Sequence, residues 1–235
     1  MTRAVQIRRV QKFLEDHNCA AQFTTGYGCS EGGSSITMPM VPGPYENGSM
    51  GVPLPLTTIG IFKPGTQEEL GYNQLGEICR CGPGNMLGYD NPEATAKVLQ
   101  VHPDGQTWLH IGDTGYIDEN GVIYSLGRGA PERFDGGELP TLPMENLVAD
   151  ANIPGIDDEF FVIVEDGKHP GFHEPYLCVV LKDGYTLADI QSQVMACLPE
   201  YQRPVKIFTL PQRPYFHFKT NRIGLAQQIL AQNKE

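Results

Sequence analysis

Positive charge is scarce in this sequence. Its 235 residues carry 17 lysines and arginines against 28 aspartates and glutamates, a formal net charge of -11. A chain this acidic repels a nucleic-acid backbone, so nucleic acid is not an expected partner. Long hydrophobic runs are also missing, and none approaches the roughly 20 apolar residues of a membrane-spanning helix. The amino terminus, MTRAVQIRRVQKF, is basic but lacks the apolar centre and small-residue cleavage site of a secretory signal. A cytoplasmic location is the resulting expectation. The six cysteines, at 19, 29, 79, 81, 178 and 197, repeat no spacing of the kind a disulfide framework needs. Cys79 and Cys81 form a lone Cys-x-Cys within EICRCG, which a strand would put on one face. No paired Cys or His motif completes a metal set around them, so reduced, structural thiols are expected. Hydrophobic residues nevertheless make up 40% of the chain. That is enough to furnish a core, in one sizeable domain or two small ones.

The texture changes twice along the chain. Val10, Phe13 and Leu14 have helical spacing within residues 5 to 17, and AAQFTT then reads as a short buried strand. It runs into GYGCSEGGSS, a Gly- and Ser-rich turn of the kind that contacts phosphates, a weak signal by composition alone. Between residues 36 and 126, short apolar runs (TTIGIF, GEICRC, TWLHIG, GVIYSL) alternate with turn signals such as KPG, GPGN, HPDG and DENG. That rhythm predicts an antiparallel β region, such as a small barrel. One helix interrupts it, NPEATAKVL, with Asn91 as N-cap and Pro92 at the first helical position. LGRGAPERFDGGELP is rich in Gly and Pro and reads as a linker or exposed loop. Beyond it MENLVADA, EFFVIVED, YLCVVLKD, TLADIQSQVMACL, VKIFTL and RIGLAQQILAQ predict helix, strand, strand, helix, strand and helix. The whole is a mixed α/β chain in which an antiparallel β region precedes a small α+β domain.

Several of these stretches together resemble the adenylate-forming superfamily, in particular its acyl-CoA synthetase branch. GYGCSEGG at 26 to 33 resembles the family's aromatic-Gly-x-Ser/Thr-Glu signature. GSMGVPLP at 48 to 55 and LGEICRCGPGNMLGYDNPEAT at 75 to 95 follow in the family's order. WLHIGDTGYIDENGVIYSLGR at 108 to 128 is close to the family's Trp-Leu-His-Thr-Gly-Asp run, and LPEYQRP at 198 to 204 resembles its Leu-Pro-x-Tyr motif. The resemblance implies that residues 1–126 are the terminal portion of the adenylating large domain. It makes 127–137 the hinge and 138–235 the small mobile domain. No match is present to the family's upstream glycine-rich phosphate loop, so the sequence reads as a piece, a truncated gene product or one chain of a split enzyme. On that expectation the rest of the large domain would be a partner chain or absent.

The implied reaction has two halves. A carboxylic acid attacks the α-phosphate of ATP to give an acyl-adenylate and pyrophosphate, and a thiol, of CoA or of a carrier protein, then displaces AMP. Such chemistry rests on positioning and charge neutralisation. By resemblance, Glu31 would hold Mg²⁺, since a hard cation prefers carboxylate oxygen, and Ser30 would donate to the α-phosphate. Tyr27 would pack on the adenine, while Gly26 and Gly28 would let the backbone approach. Asp113 would accept from the ribose hydroxyls, and Arg128 would add a positive charge beside them. Cys29 borders the implied acyl pocket. Fatty acid metabolism is a natural setting for such a ligase.

Without a family the same residues have plainer readings. Asp113 in GDTGY is a turn residue, Glu31 a solvated carboxylate and Arg128 a surface charge. Tyr27 and Cys29 are packing, Ser30 is a turn residue, and Trp108 and His110 belong to the core.

The sequence departs from the family at its moving and catalytic parts. The expected pivot, usually Asp or Lys, is Ala130 followed by Pro131, which fixes its own φ and restricts its neighbour. RFDGG keeps only Gly137 of the next motif, the glycine whose backbone lines the thiol's path. The catalytic lysine aligns with Arg222, before Ile223, and Lys219 lies three residues away. Arginine keeps the charge but not the compact ammonium. The sequence therefore supports the carboxy-terminal portion of an ATP-dependent acid–thiol ligase, inactive alone, or a non-catalytic binding module that keeps the fold.

Overall fold

The computed structural model describes residues 4–39, 49–129, 131–134, 136–216 and 219–232. Ala130 at the expected pivot, Asp135 of RFDGG and Gly48 of GSMGVPLP lie outside them. The chain divides into two compact units, residues 1–129 and 130–235.

The first unit begins with helix α1, Ala4–Asp16. AAQFTT, expected as a buried strand, is not one: residues 20–25 are irregular and no residue among them is buried. A strand needs a partner ladder, and none runs beside this segment among the described residues. Its anchors are local: Phe23 N–H donates to the Gln11 side chain at 2.9 Å, and Thr25 Oγ1 to the Ser49 carbonyl at 3.2 Å. A tight hairpin follows, β1 Gly28–Cys29 and β2 Ser34–Ser35. The short strands β3 Thr37–Met38 and β4 Val52–Pro53 then pair with each other.

The main sheet comprises β5 Thr58–Phe62, β6 Gly76–Cys81, β7 Leu99–Val101, β8 Thr107–Ile117 and β9 Ile123–Arg128. All pairs are antiparallel, in the order β5-β6-β8, and the 11-residue β8 carries β7 beside one end and β9 beside the other. The sheet is open rather than a barrel, since no ladder among the described residues joins β5 to β7 or β9. One face buries Ile59, Ile61, Ile78 and Ile123 with Tyr27, Ile36 and Met50. The other packs Phe62, Cys79 and Trp108, the sole tryptophan, whose indole N–H donates to Asp104 at 2.9 Å. Helix α2, Pro92–Val98, forms as its sequence predicts: Asn91 accepts from the N–H groups of Glu93 and Ala94, and Pro92 pre-sets φ at the first position.

The second unit holds α3 Thr141–Asp150, β10 Ile156–Glu165, β11 His173–Leu181, α4 Leu187–Cys197 and β12 Lys206–Thr209. The hairpin β13 Tyr215–Phe216 with β14 Lys219–Thr220, and helix α5 Arg222–Gln232, complete it. Strands β10 and β11 are antiparallel, and β12 adds to β11 in parallel after the crossover through α4. Both faces of this sheet are covered, which is why EFFVIVE and YLCVVL are unbroken apolar runs. Phe161, Leu177 and Val179 face Met144 and Val148 of α3 and Ile190 and Val194 of α4. Their neighbours Phe160, Val162, Tyr176 and Cys178 face Ile229 of α5 from the other side. At the start of α4 the Asp189 carboxylate accepts both the N–H and the hydroxyl of Thr186 at 2.7 Å, the reciprocal half of a capping box. No helix among the described residues is long and apolar enough to cross a membrane.

Candidate functional site

The first unit brings three sequence motifs together. Tyr27 lies just before the β1–β2 hairpin, its ring in the core, and its phenol donates to Asp113 Oδ2 at 2.6 Å. Asp113 sits on β8 opposite Arg128 of β9, whose Nε is 3.5 Å from Oδ1. The Arg128 side chain is 84% exposed. Such an ion pair adds little in water, so Arg128 is available to a ligand. Burial, then the Asp113 charge, pushes the Tyr27 phenol well above its ordinary range, so it stays a donor at any physiological pH. The result is a carboxylate of fixed orientation with a cation beside it, a suitable acceptor for a pair of vicinal hydroxyls.

Gly28 is dictated by the hairpin: a Cβ there would lie 1.8 Å from the Ser34 carbonyl oxygen. At Gly26 a Cβ would make only an ordinary 3.5 Å contact with the Thr37 carbonyl oxygen. Cys29 is half-buried, and burial pushes its thiol up, so it packs as a thiol rather than acting as a nucleophile. Ser30 and Glu31 begin a short 3₁₀ turn, Ser30 exposed and Glu31 half-buried. Glu31 Oε1 accepts from Tyr89 at 2.7 Å, and its carbonyl accepts the Met86 N–H at 2.7 Å. Nothing local in the sequence singles out Tyr89, because a contact across 58 residues leaves no pattern. Its one clue is its place within GPGNMLGYDNPE. An oriented carboxylate oxygen suits Mg²⁺, which takes one or two protein carboxylates and fills its remaining positions with phosphate and water.

In the second unit Gly137 has φ 98°, and a Cβ there would meet the Tyr201 ring at 2.4 Å. Only glycine fits, and the contact joins the surviving glycine of RFDGG to the tyrosine of LPEYQRP. Arg133 Nη1 ties the same two segments by donating to the carbonyls of Tyr201 and Arg203 at 3.1 and 3.2 Å.

Arg222 opens α5, and its guanidinium is engaged within the unit. Nη2 donates to Glu145 Oε1 at 2.6 Å, and Nε to the Phe161 carbonyl at 2.9 Å. Glu145, 3% exposed on α3, also accepts the Phe161 N–H at 3.0 Å. Sequence reasoning missed Glu145, which MENLVADA presents as an ordinary helical glutamate. Lys219 on β14 is exposed.

Taken together, the hairpin turn bearing Ser30 and Glu31 and the Tyr27–Asp113–Arg128 constellation make up the candidate site of the first unit. By comparison with known proteins, the chain belongs to the adenylate-forming, AMP-binding superfamily. The family model for an AMP-binding enzyme matches residues 4–90. The chain is 36% identical over 146 residues to 4-coumarate-CoA ligase 2 of Narcissus pseudonarcissus, covering 57% of this chain and 25% of that protein. It is 32% identical over 200 residues to 4-coumarate–CoA ligase 3 of Arabidopsis thaliana, covering 80% of this chain and 34% of that protein. The matches thus span about a quarter to a third of these relatives' length. A crystal structure of ATP-bound MatB from Rhodopseudomonas palustris has the same fold. Its TM-score is 0.79 at 22% identity, over 96% of this chain and 43% of that one.

Proposed function

We propose that these residues form the carboxy-terminal portion of an ATP-dependent acid–thiol ligase, which converts a carboxylic acid to an acyl-adenylate and then to a thioester of CoA. The observation that carries this reading is the Tyr27–Asp113 hydrogen bond, which unites two separate sequence motifs around one carboxylate. In this reading Asp113 receives the ribose hydroxyls and Arg128 adds positive charge beside them. Ser30 donates to the α-phosphate. Mg²⁺ held at Glu31 neutralises phosphate charge when bound, and Tyr89 orients that carboxylate. Gly137, whose side-chain position is closed by the Tyr201 ring, would line the thiol's path with its backbone. The positive charge for adenylation is assigned to Lys219 rather than Arg222, because the Arg222 guanidinium is committed to Glu145 and Phe161.

In the same reading 1–126 are the terminal part of the large domain, 127–137 the hinge and 138–235 the small domain. The setting is cytoplasmic, and the acid pool is that of fatty or aromatic acids. The 235 residues contain no glycine-rich phosphate loop, so alone they would not turn over. A second reading, a nucleotide-binding module without catalysis, draws on Ala130–Pro131 and Arg222 standing where the family has its pivot and lysine.

Grafting residues 1–235 onto the upstream half of a plant 4-coumarate ligase and measuring ATP–pyrophosphate exchange separates the two. Exchange that falls at least about tenfold in Asp113→Ala and Lys219→Ala supports the ligase. A folded graft that binds AMP yet shows no exchange supports the module.

A further inference from the structure

On the sheet face opposite the Tyr27 core, four polar side chains meet among aromatic rings. Cys79 on β6 and His110 on β8 are direct cross-strand partners, so their side chains share a face, and Glu77 lies two residues before Cys79 on the same face. The register breaks between them: Glu77 pairs with Thr114 and Cys79 with His110, so β8 spends four residues where β6 spends two. Bulges of this kind re-aim side chains. Here the bulge brings the Gly112 N–H to Glu77 Oε1 at 3.2 Å and leaves Oε2 3.0 Å from His110 Nδ1. Cys79 Sγ is 3.4 Å from the same nitrogen. The three donor atoms all lie within 4.8 Å of one another.

We propose that Glu77, Cys79 and His110 form a binding site for a thiophilic divalent transition-metal ion of the zinc class. In a tetrahedral zinc site, bond lengths near 2.3 Å to sulfur and 2.0 Å to nitrogen and oxygen put sulfur about 3.5 Å from nitrogen and nitrogen about 3.3 Å from oxygen. The observed 3.4 and 3.0 Å are within a few tenths of an ångström of those two separations, and the sulfur lies within 4.8 Å of the carboxylate donor. A thiolate, an imidazole and one carboxylate select zinc, cobalt or nickel over magnesium or calcium, which take oxygen sets.

The surroundings also fit. His110 Nε2 is 3.0 Å from His102 Nε2, so one ring must donate to the other. When His110 donates, its Nδ1 lone pair faces Glu77 and Cys79, the tautomer that ligation requires. His102 is in turn held by stacking on Trp108 at 5.6 Å and by the edge of Phe62 at 4.7 Å. Cys79 and His110 are buried, and Glu77, 18% exposed, is the ligand on the water side. Three protein ligands leave the fourth position to a water. Binding replaces the Cys79 S–H bond with a sulfur–metal bond and releases that proton to solvent.

Titrating the 235-residue chain with Co²⁺ tests this, in a background where Cys19, Cys29, Cys81 and Cys197 are serine. One Co²⁺ per chain is expected, with a thiolate-to-cobalt charge-transfer band, quenching of Trp108 fluorescence and displacement by Zn²⁺. His102→Phe should weaken binding about tenfold or more, as loss of an orienting partner does. Cys79→Ser should remove the band, and His110→Gln should remove stoichiometric binding. Absence of the band overturns the proposal, as does a band indifferent to His110→Gln. If those variants do not fold, X-ray absorption of the Zn²⁺-loaded parent chain decides. One sulfur with nitrogen and oxygen neighbours supports the site, and any other shell refutes it.

Discussion

Removing the Arg222 guanidinium would strand the Glu145 carboxylate. That carboxylate is 4% exposed in its side chain and takes both Arg222 Nη2 and the Phe161 N–H on one oxygen. Losing one member of a fully buried pair costs about 3–5 kcal/mol, because the other charge stays buried and unpaired. Arg222 is 39% exposed. Water therefore screens part of the interaction and will reach part of the vacancy, which brings the expected loss to about 2 kcal/mol. The Phe161 carbonyl also loses its donor from Arg222 Nε. Trp108 lies in the other unit. The assay is therefore urea unfolding followed by far-ultraviolet circular dichroism, with hydrogen exchange at the Phe161 amide as the local probe. Arg222→Ala should lower stability by about 2 kcal/mol and speed that exchange. In a Glu145→Gln background the same change should cost about 1 kcal/mol less, because no charge is left to strand. Lys219→Ala, at an exposed position, should change stability by less than about 0.5 kcal/mol. An Arg222→Ala chain as stable as the parent, with unchanged exchange at Phe161, would refute the reasoning.

Other consequences are more local. Tyr27→Phe removes a donor to a carboxylate and should cost the first unit about 2 kcal/mol, read from Trp108 fluorescence during unfolding. Asn91→Ala leaves two N–H groups of α2 uncapped and should cost about 1 kcal/mol in the same assay. Tyr89→Phe should leave the unfolding midpoint within about 0.5 kcal/mol. It should nonetheless weaken the Mg²⁺ dependence of nucleotide binding, since Glu31 loses its orienting donor. The hydrogen bond from His169, and then the Lys168 N–H, hold the Asp166 carboxyl below its ordinary 3.8. Its contribution to stability is complete above that value and is lost as pH falls through the lower folded one. Asp166→Asn should flatten that acid limb in a comparison of melting temperatures between pH 5 and about pH 2.

Much of this architecture could be read from the sequence, for identifiable reasons. Helix α2 announces itself through Asn91 and Pro92, because caps act within four residues. The strands of the second unit are continuous apolar runs because helices cover both faces. AAQFTT misleads for the complementary reason, since a β-like composition gives no strand without a partner ladder. The hairpin Tyr215–Phe216 with Lys219–Thr220 escapes notice because two-residue strands carry no periodicity. At the site, Tyr27, Glu31, Asp113 and Arg128 stand in motifs, yet the contacts that orient them leave no local pattern. Tyr89 reaches Glu31 across 58 residues, and Tyr27 reaches Asp113 across 86. Arg222 and its neighbour Ile223 match a motif, whereas the hydrogen bonds of Arg222 to Glu145 and Phe161 depend on the packing of α3 against β10, which no local pattern shows.

Calorimetric titration of AMP into the 235-residue chain, beside Asp113→Asn and Arg128→Ala, tests the central claim most directly. One AMP per chain should bind. Asp113→Asn should weaken it at least about tenfold, because a charged acceptor to two hydroxyls contributes well over 1.4 kcal/mol. Arg128→Ala should weaken it less. Absence of AMP binding, or equal affinity in Asp113→Asn, would contradict the assignment of this constellation to the ribose.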